Sequence, residues 1–233
     1  MTSELYYLII TAVSISFIHT LTGPDHYLPF IALSKANNWT VSKTIFWTVV
    51  CGIGHVGSSV ILGLGGVAVG WSLSKITTIE NIRGGIAGWV MFIIGCLYMI
   101  YASFQLRNNK PHKHFDLQDD EIYVYEHKHG EMVLPGERRK VTPWVMFIVF
   151  LLGPCEPLIP LLSFPAAKQS LTGIVTLISV FTLFTLLTMV TIVLLGYFGI
   201  GWFVKADRLE KYVHVLAAST VLICGTGMVF MEW

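Results

Sequence analysis

The stretch that decides the fold is HTLTGPDHYLPF, residues 19–30, which ends the first apolar run of the chain. It places His19, Asp25 and His26 where a bilayer normally holds apolar side chains, and a Gly-Pro pair lies beside them. Proline removes a backbone donor and clashes with the preceding turn, so the helix is predicted to break here. In a membrane, freed backbone groups and ionisable side chains persist only where they face protein or water. The stretch therefore predicts a functional site at a broken membrane helix.

The composition places this site in an integral membrane protein. Of the 233 residues, 54% are hydrophobic and 12% are charged, whereas soluble domains carry about 25% charged residues. We predict an all-α polytopic protein, because several apolar runs approach the roughly 20 residues that span a bilayer. Six spans are predicted, at residues 5–22, 44–70, 84–105, 143–163, 171–199 and 212–231. The net charge of +1 gives no reason to expect a nucleic-acid partner.

The basic residues predict an orientation. With the N-terminus outside, the inner loops hold twelve Lys and Arg residues, and the outer loops hold three. The inner set is Lys35, Lys43, Arg107, Lys110, Lys113, Lys128, Arg138, Arg139, Lys140, Lys205, Arg208 and Lys211, and the outer set is Lys75, Arg83 and Lys168. The positive-inside rule then predicts a cell (inner) membrane protein with both termini outside and a cytoplasmic loop at 106–142.

The second half of the chain repeats the first. GPDHYLPFIAL begins at residue 23 and GPCEPLIPLLS at residue 153, an offset of 130. Gly95 and Gly225 match at the same offset. We predict two three-helix repeats, at 1–105 and 143–233, that flank the loop at 106–142. Three spans separate the copies, so they would enter the membrane from opposite sides, as in many secondary transporters. The equivalent helix breaks are at Gly23, Pro24, Gly153 and Pro154.

Ionisable residues follow each break. His26 and Glu156 occupy the same repeat position, and His55 lies in the middle of the next span within VVCGIGHVGSSV, residues 49–60. Glycines in that stretch would let another helix approach closely. They are not followed by a Walker lysine, so they do not predict a phosphate-binding loop. Imidazoles with carboxylates suit borderline divalent metals such as nickel, cobalt or zinc. The predicted metal site is His19, Asp25, His26, His55 and Glu156, with the metal as substrate, no prosthetic group and no enzymatic activity.

The hydrophilic loop carries two His-x-His pairs, at His112 with His114 and at His127 with His129. Histidine-rich tracts can capture metals, although a solvated linker is an equally good interpretation. EIYVYEH and EMVLP flank a KHG turn and predict a short hairpin.

Two of these motifs resemble those of a known family. HTLTGPDH resembles the first-span signature of the nickel/cobalt transporter superfamily, including its urease-accessory-like membrane proteins, within the broader LysE-type transporter superfamily. GIGHVGSSV resembles the second histidine motif of that family. The resemblance implies divalent metal transport, with His19, Asp25, His26 and His55 as functional positions. One departure is the spacing, since five residues separate His19 from Asp25-His26 and the classical transporters have four.

Other interpretations remain open. GPCEPLIP resembles the proline-flanked cysteine of membrane thiol-disulfide carriers, which need a cysteine in each half; the repeat partner of Cys155 is Asp25. A small-anion or metabolite exporter would instead use the half-helix N-termini after the breaks. A metal sensor or urease-maturation partner would bind metal without transporting it. All four cysteines, Cys51, Cys96, Cys155 and Cys224, lie in apolar runs and also suit plain packing. Expected partners are membrane lipids and the metal ion, with a homodimer or a metallochaperone as further candidates.

Overall fold

A computed structural model describes the protein at residues 3–108, 112–118, 121–127, 141–167, 170–203 and 212–231. The first half contains α1 (Ser3–Thr22), a 3-10 turn (Pro24–His26), α2 (Leu28–Ala36), α3 (Val41–Ala68) and α4 (Leu73–Asn108). The second half contains α5 (Val141–Leu152), α6 (Leu158–Ala167), α7 (Leu171–Phe203) and α8 (Val213–Phe230). Strands β1 (His112–Gln118) and β2 (Glu121–His127) lie between the halves.

Within the described ranges, five helices are long and apolar enough to cross a membrane: α1, α3, α4, α7 and α8. Their outward faces expose large apolar side chains such as Phe17, Ile61 and Leu195, and lipid solvates such faces as well as a protein core would. The predicted helical integral membrane protein is therefore confirmed, and these five spans lie close to the predicted positions.

The sixth predicted span, residues 143–163, is not a single helix. Helix α5 ends at Leu152, and α6 begins at Leu158. Pro154 and Pro157 lie between the two helices and have no backbone N–H to continue a helical ladder. The first half is interrupted in the same manner, because α1 ends at Thr22 and α2 begins only at Leu28.

Helix α4 begins earlier than the sequence predicts. Lys75 and Arg83 belong to this helix and not to a loop; the side of the membrane on which they lie stays a prediction. The reason for the early start is local: Gly70 adopts a positive φ of 72° just after α3, and the Ser72 hydroxyl accepts a hydrogen bond from the backbone N–H of Lys75. A serine in this position satisfies a free donor at a helix start. The polar first turns of α4 are therefore helical.

Several glycines let helices approach closely. A Cβ at Gly52 of α3 would lie 2.5 Å from Leu186 Cδ2 of α7, and one at Gly54 would lie 2.9 Å from Phe147 of α5. Gly57 and Gly65 have no such neighbour within 4 Å. The predicted close approach is therefore confirmed at Gly52 and Gly54, but not along the whole glycine run.

Helices α4 and α8 pack backbone against backbone. A Cβ at Gly95 would lie 2.6 Å from Leu222 Cα, and one at Gly225 would lie 2.5 Å from Phe92 N. Any side chain larger than hydrogen at either position would displace the opposing main chain, so these two glycines set the distance between the helices.

Strands β1 and β2 pair antiparallel, with His112 opposite His127. The hairpin prediction was therefore wrong in one respect. EIYVYEH does form a strand, but it pairs with the residues before it. The EMVLP segment lies outside the described residues.

We expect the Gly225→Ala substitution to destabilise the protein by about 1–3 kcal/mol, because the added methyl group overpacks a backbone contact. The check is thermal unfolding of purified protein in detergent, read by intrinsic fluorescence. Gly85→Ala on α4 is the matched control, since a Cβ there meets nothing within 4 Å. Equal melting temperatures for Gly225→Ala and the unmodified protein would contradict the proposed packing.

Candidate functional site

The first break turns the chain so that two histidines of one segment meet. The Gly23 N–H still donates to the His19 carbonyl at 3.1 Å, which closes α1. The N–H of His26 then donates to the Gly23 carbonyl at 3.1 Å, which tightens the 3-10 turn. As a result, the imidazoles of His19 and His26 lie edge to face with ring centroids 4.8 Å apart.

His55 of α3 completes a cluster of three imidazoles. Its ring centroid lies 4.9 Å from that of His26 and 6.3 Å from that of His19. One ring nitrogen from each histidine can be chosen so that all three atoms lie within 4.8 Å of one another. His26 and His55 are each only 3% exposed. We call these three residues the histidine cluster.

Asp25 contacts the histidine cluster through Nδ1 of His26. Nδ1 of His26 lies 3.2 Å from Asp25 Oδ1 and 3.1 Å from the Gly23 carbonyl. A carbonyl oxygen only accepts, so the His26–Gly23 contact places the proton on Nδ1 and leaves Nε2 with a free lone pair. That Nε2 lies 3.3 Å from Nε2 of His55. Asp25 therefore orients a histidine and is not among the cluster residues.

Glu156 lies apart from the histidine cluster. It is exposed, and it lines a pocket of about 380 Å³ together with Thr77, Glu80, Asn81, Pro157, Ile159 and Pro160. The structure thus brings His19, His26 and His55 together, keeps Asp25 adjacent and places Glu156 at a separate surface. Of the loop histidines, His112, His114 and His127 belong to the two strands, and His129 lies outside the described residues.

The second break is held by a buried polar network that the sequence motifs did not reveal. We call Ser59, Glu80 and Arg83 the anchor network. Glu80 is 1% exposed, and its Oε1 accepts hydrogen bonds from the Ser59 hydroxyl and from Arg83 Nη2, the latter at 2.8 Å. The Cys155 N–H lies 3.1 Å from both Ser59 Oγ and Glu80 Oε1. Arg83 also donates to the Gly153 carbonyl at 3.2 Å.

A sequence signal for the anchor network existed. Ser59 lies four residues after His55 and therefore shares its helix face. Glu80 and Arg83 are opposite charges three residues apart next to an apolar span, a spacing that allows them to pair on one face of a helix. Only the tertiary structure shows that this pair faces the backbone groups freed at the second break.

The histidine cluster and the anchor network come together at Gly153. A Cβ built there would lie 3.4 Å from Nδ1 of His55 and 3.4 Å from the Phe150 carbonyl. The His55 ring also lies edge to face with the ring of Phe150, with ring centroids 6.1 Å apart. The end of α5 therefore contacts the histidine cluster on one side and the anchor network on the other.

Comparison with protein families gives one match. The family model described as the cytochrome C biogenesis protein transmembrane region matches residues 28–228. The matched range includes His55, the anchor network and Cys155, and it begins after the first break. The comparisons with curated proteins and with solved structures found no match.

This match corrects the family resemblance drawn from the motifs. The assignment to the nickel/cobalt transporter superfamily was wrong, because the family model that matches is a different one. The resemblance rested on about 25 residues around His19, His26 and His55. Histidine spacing within such short segments reports a local cluster, whereas the family match extends over most of the chain.

We expect Glu80→Gln to destabilise the protein by about 3 kcal/mol, because it leaves the Arg83 charge buried without a counterion. The measurement is the free energy of unfolding in mixed micelles titrated with a denaturing detergent. The double variant Glu80→Gln/Arg83→Met should be closer to the unmodified protein, since neither charge remains. Asn81→Ala, at the next position, is the control. A double variant less stable than Glu80→Gln would argue against the pair as an ionic unit.

Proposed function

Because the chain belongs to the family of cytochrome c biogenesis protein transmembrane regions, we propose that it is a membrane carrier of thiol-disulfide reducing equivalents. The reacting group is the thiol of Cys155. The observation that carries this assignment is the position of Cys155 at a proline-flanked helix break inside the matched range. The other described cysteines, Cys51, Cys96 and Cys224, lie within continuous helices.

Cys155 is fully buried, so a reaction at its thiol requires the second break to open toward a partner. The thiolate is the attacking form of cysteine, and nearby positive charge favours it. Arg83 provides such a charge, because its guanidinium bonds the carbonyl of Gly153, two residues before Cys155. The carboxylate of Glu80, which pairs with Arg83 at 2.8 Å, offsets part of that charge. The Cys155 N–H lies within hydrogen-bond distance of Ser59 and Glu80, which position the backbone that carries the thiol.

The electron transfer balances with two external partners. The Cys155 thiolate attacks a substrate disulfide, forms a mixed disulfide and releases one substrate thiolate, which takes up a proton. A dithiol donor then attacks the Cys155 sulfur and releases the second substrate thiol. The remaining donor thiol closes the donor disulfide and regenerates Cys155. Two electrons and two protons thus pass from the donor dithiol to the substrate disulfide.

The second thiol comes from the partners because Cys51 is too far away. Cys155 contacts Ser59, and Cys51 precedes Ser59 by eight residues on α3. Eight residues of helix rise by about 12 Å, whereas bonded cysteines require Cα atoms within about 7 Å. A pocket lies beside Glu156 and Pro157, the two residues that follow Cys155, and we propose that a partner thiol approaches from this side.

The helix packing supports two inverted repeats related by a pseudo-two-fold axis. In such a carrier, one repeat would rock against the other. Helix α1 packs on α7 while α5 packs on α3, and α2 packs on α7 while α6 packs on α3. At the offset of 130, Gly95 corresponds to Gly225 and Phe92 corresponds to Leu222. The contact of Gly95 with Leu222 is therefore repeated as the contact of Gly225 with Phe92. Each pair of contacts is what a pseudo-two-fold axis would produce.

For the orientation, we propose an inner-membrane protein with both termini outside the cytoplasm, on the basis of its Lys and Arg distribution. A reporter that is active only in the cytoplasm should be inactive when fused after Trp233 and active when inserted in the loop at 106–142. A cytoplasmic signal from the C-terminal fusion would reverse this topology.

We expect Cys155→Ser to lower electron transfer by at least about tenfold, because serine is not a nucleophile toward disulfides. The assay uses proteoliposomes that contain a reduced dithiol protein, with an impermeant aromatic disulfide outside whose thiolate product is coloured. Cys96→Ser on α4 is the matched control, and equal melting temperatures would establish that both variants fold. An unchanged rate in Cys155→Ser would exclude this cysteine as the carrier.

A further inference from the structure

We propose that the histidine cluster is a binding site for a transition-metal ion resident in the protein. This inference goes beyond the thiol chemistry proposed for Cys155 and rests on different residues. Its ligands are His19 at the end of α1, His26 in the 3-10 turn and His55 in the middle of α3. Asp25 orients one ligand from behind and does not bind the ion itself.

One nitrogen–nitrogen distance in the histidine cluster equals that of a tetrahedral metal site. Zinc–nitrogen bonds are about 2.0–2.1 Å long, so two ligands at a tetrahedral angle lie about 3.3 Å apart. Nε2 of His26 and Nε2 of His55 are 3.3 Å apart. The three candidate ligand nitrogens, one from each histidine, all lie within 4.8 Å of one another. The nitrogen of His19 therefore needs to move by no more than about 1.5 Å to reach the same spacing, and side-chain rotation allows such a shift.

The hydrogen bonds leave ligand atoms facing one another. His26 uses Nδ1 toward Gly23 and Asp25, which leaves its Nε2 facing Nε2 of His55 at 3.3 Å. A neutral imidazole carries one lone pair, so a cation bound between the two rings would use one nitrogen from each. His19 adds a buried Nε2 with no hydrogen-bond partner among the described residues. A metal ion would satisfy all three nitrogens together.

Asp25 completes the arrangement expected around a metal-binding histidine. Such histidines donate their second ring N–H to a carboxylate or carbonyl, which fixes the ring and raises its basicity. His26 has both kinds of acceptor at 3.1–3.2 Å. Three neutral imidazoles favour zinc, copper or iron over magnesium or calcium, which prefer oxygen ligands. Three protein ligands also leave a fourth position for water or another small ligand.

The test uses zinc and removes the competing loop histidines. In a background with His112, His114, His127 and His129 all changed to alanine, protein expressed with added zinc should retain about one zinc ion per chain after gel filtration in detergent. X-ray absorption should show about three imidazole nitrogens at about 2.0–2.1 Å. Measured by competition with a zinc chelator, Asp25→Asn should weaken binding by about 10–100-fold, as loss of a histidine-orienting partner does.

The ligand variants and their controls distinguish zinc bound at the histidine cluster from zinc bound elsewhere on the chain. His26→Ala should abolish stoichiometric zinc, and His19→Ala, at a less buried position, gives the same test if His26→Ala fails to fold. His214→Ala is the control, because His214 bonds Tyr98 at 3.1 Å on a different helix pair. Cys155→Ser should keep its zinc, so failure of the thiol proposal would leave this result intact. Unchanged zinc affinity in a folded His26→Ala or His19→Ala variant, or a spectrum without imidazole, would overturn the proposal.

Discussion

The structure depends on one constraint: a helix that breaks inside a bilayer must find partners for its freed backbone groups within the protein. Two membrane segments of this chain break, between Thr22 and Leu28 and between Leu152 and Leu158. Lipid offers no hydrogen bonds to the exposed carbonyls and N–H groups. The polar residues of the membrane interior are arranged around this requirement.

The two breaks satisfy it in different ways. At the first break the chain bonds mostly to itself, through the 3-10 turn and through the contact of His26 with the Gly23 carbonyl. At the second break the partners come from other helices, since Ser59, Glu80 and Arg83 bond Gly153 and Cys155. The first solution leaves imidazole lone pairs facing inward, and the second leaves a cysteine beside a buried ion pair. The same Gly-Pro motif thus occurs in two different side-chain environments, which meet where His55 lies next to Gly153.

The two matching glycines show what a repeated sequence pattern can predict about a structure. Gly95 and Gly225 match at one offset, and the structure uses both at the same helix crossing. His26 and Glu156 also match at this offset, but they do not occupy similar environments. His26 is buried, whereas Glu156 is exposed beside a pocket. The carboxylate that is buried at the second break belongs to Glu80, on a helix from the first half. Positions that match in sequence have different side-chain surroundings here because the neighbouring helices carry different residues.

The sequence alone determined that this is a helical membrane protein, where most of its spans lie and where its helices break. Those properties follow from local chemistry: apolar run length, proline at a fixed position and the 3.6-residue period that puts Ser59 on the face of His55. The tertiary structure decided which polar groups meet. Whether Glu80 or Glu156 faces the second break, and whether three imidazoles share one space, depends on how distant helices pack. At the second break, that packing joins Ser59 to Cys155, which the chain separates by 96 positions, and no local pattern encodes such a contact.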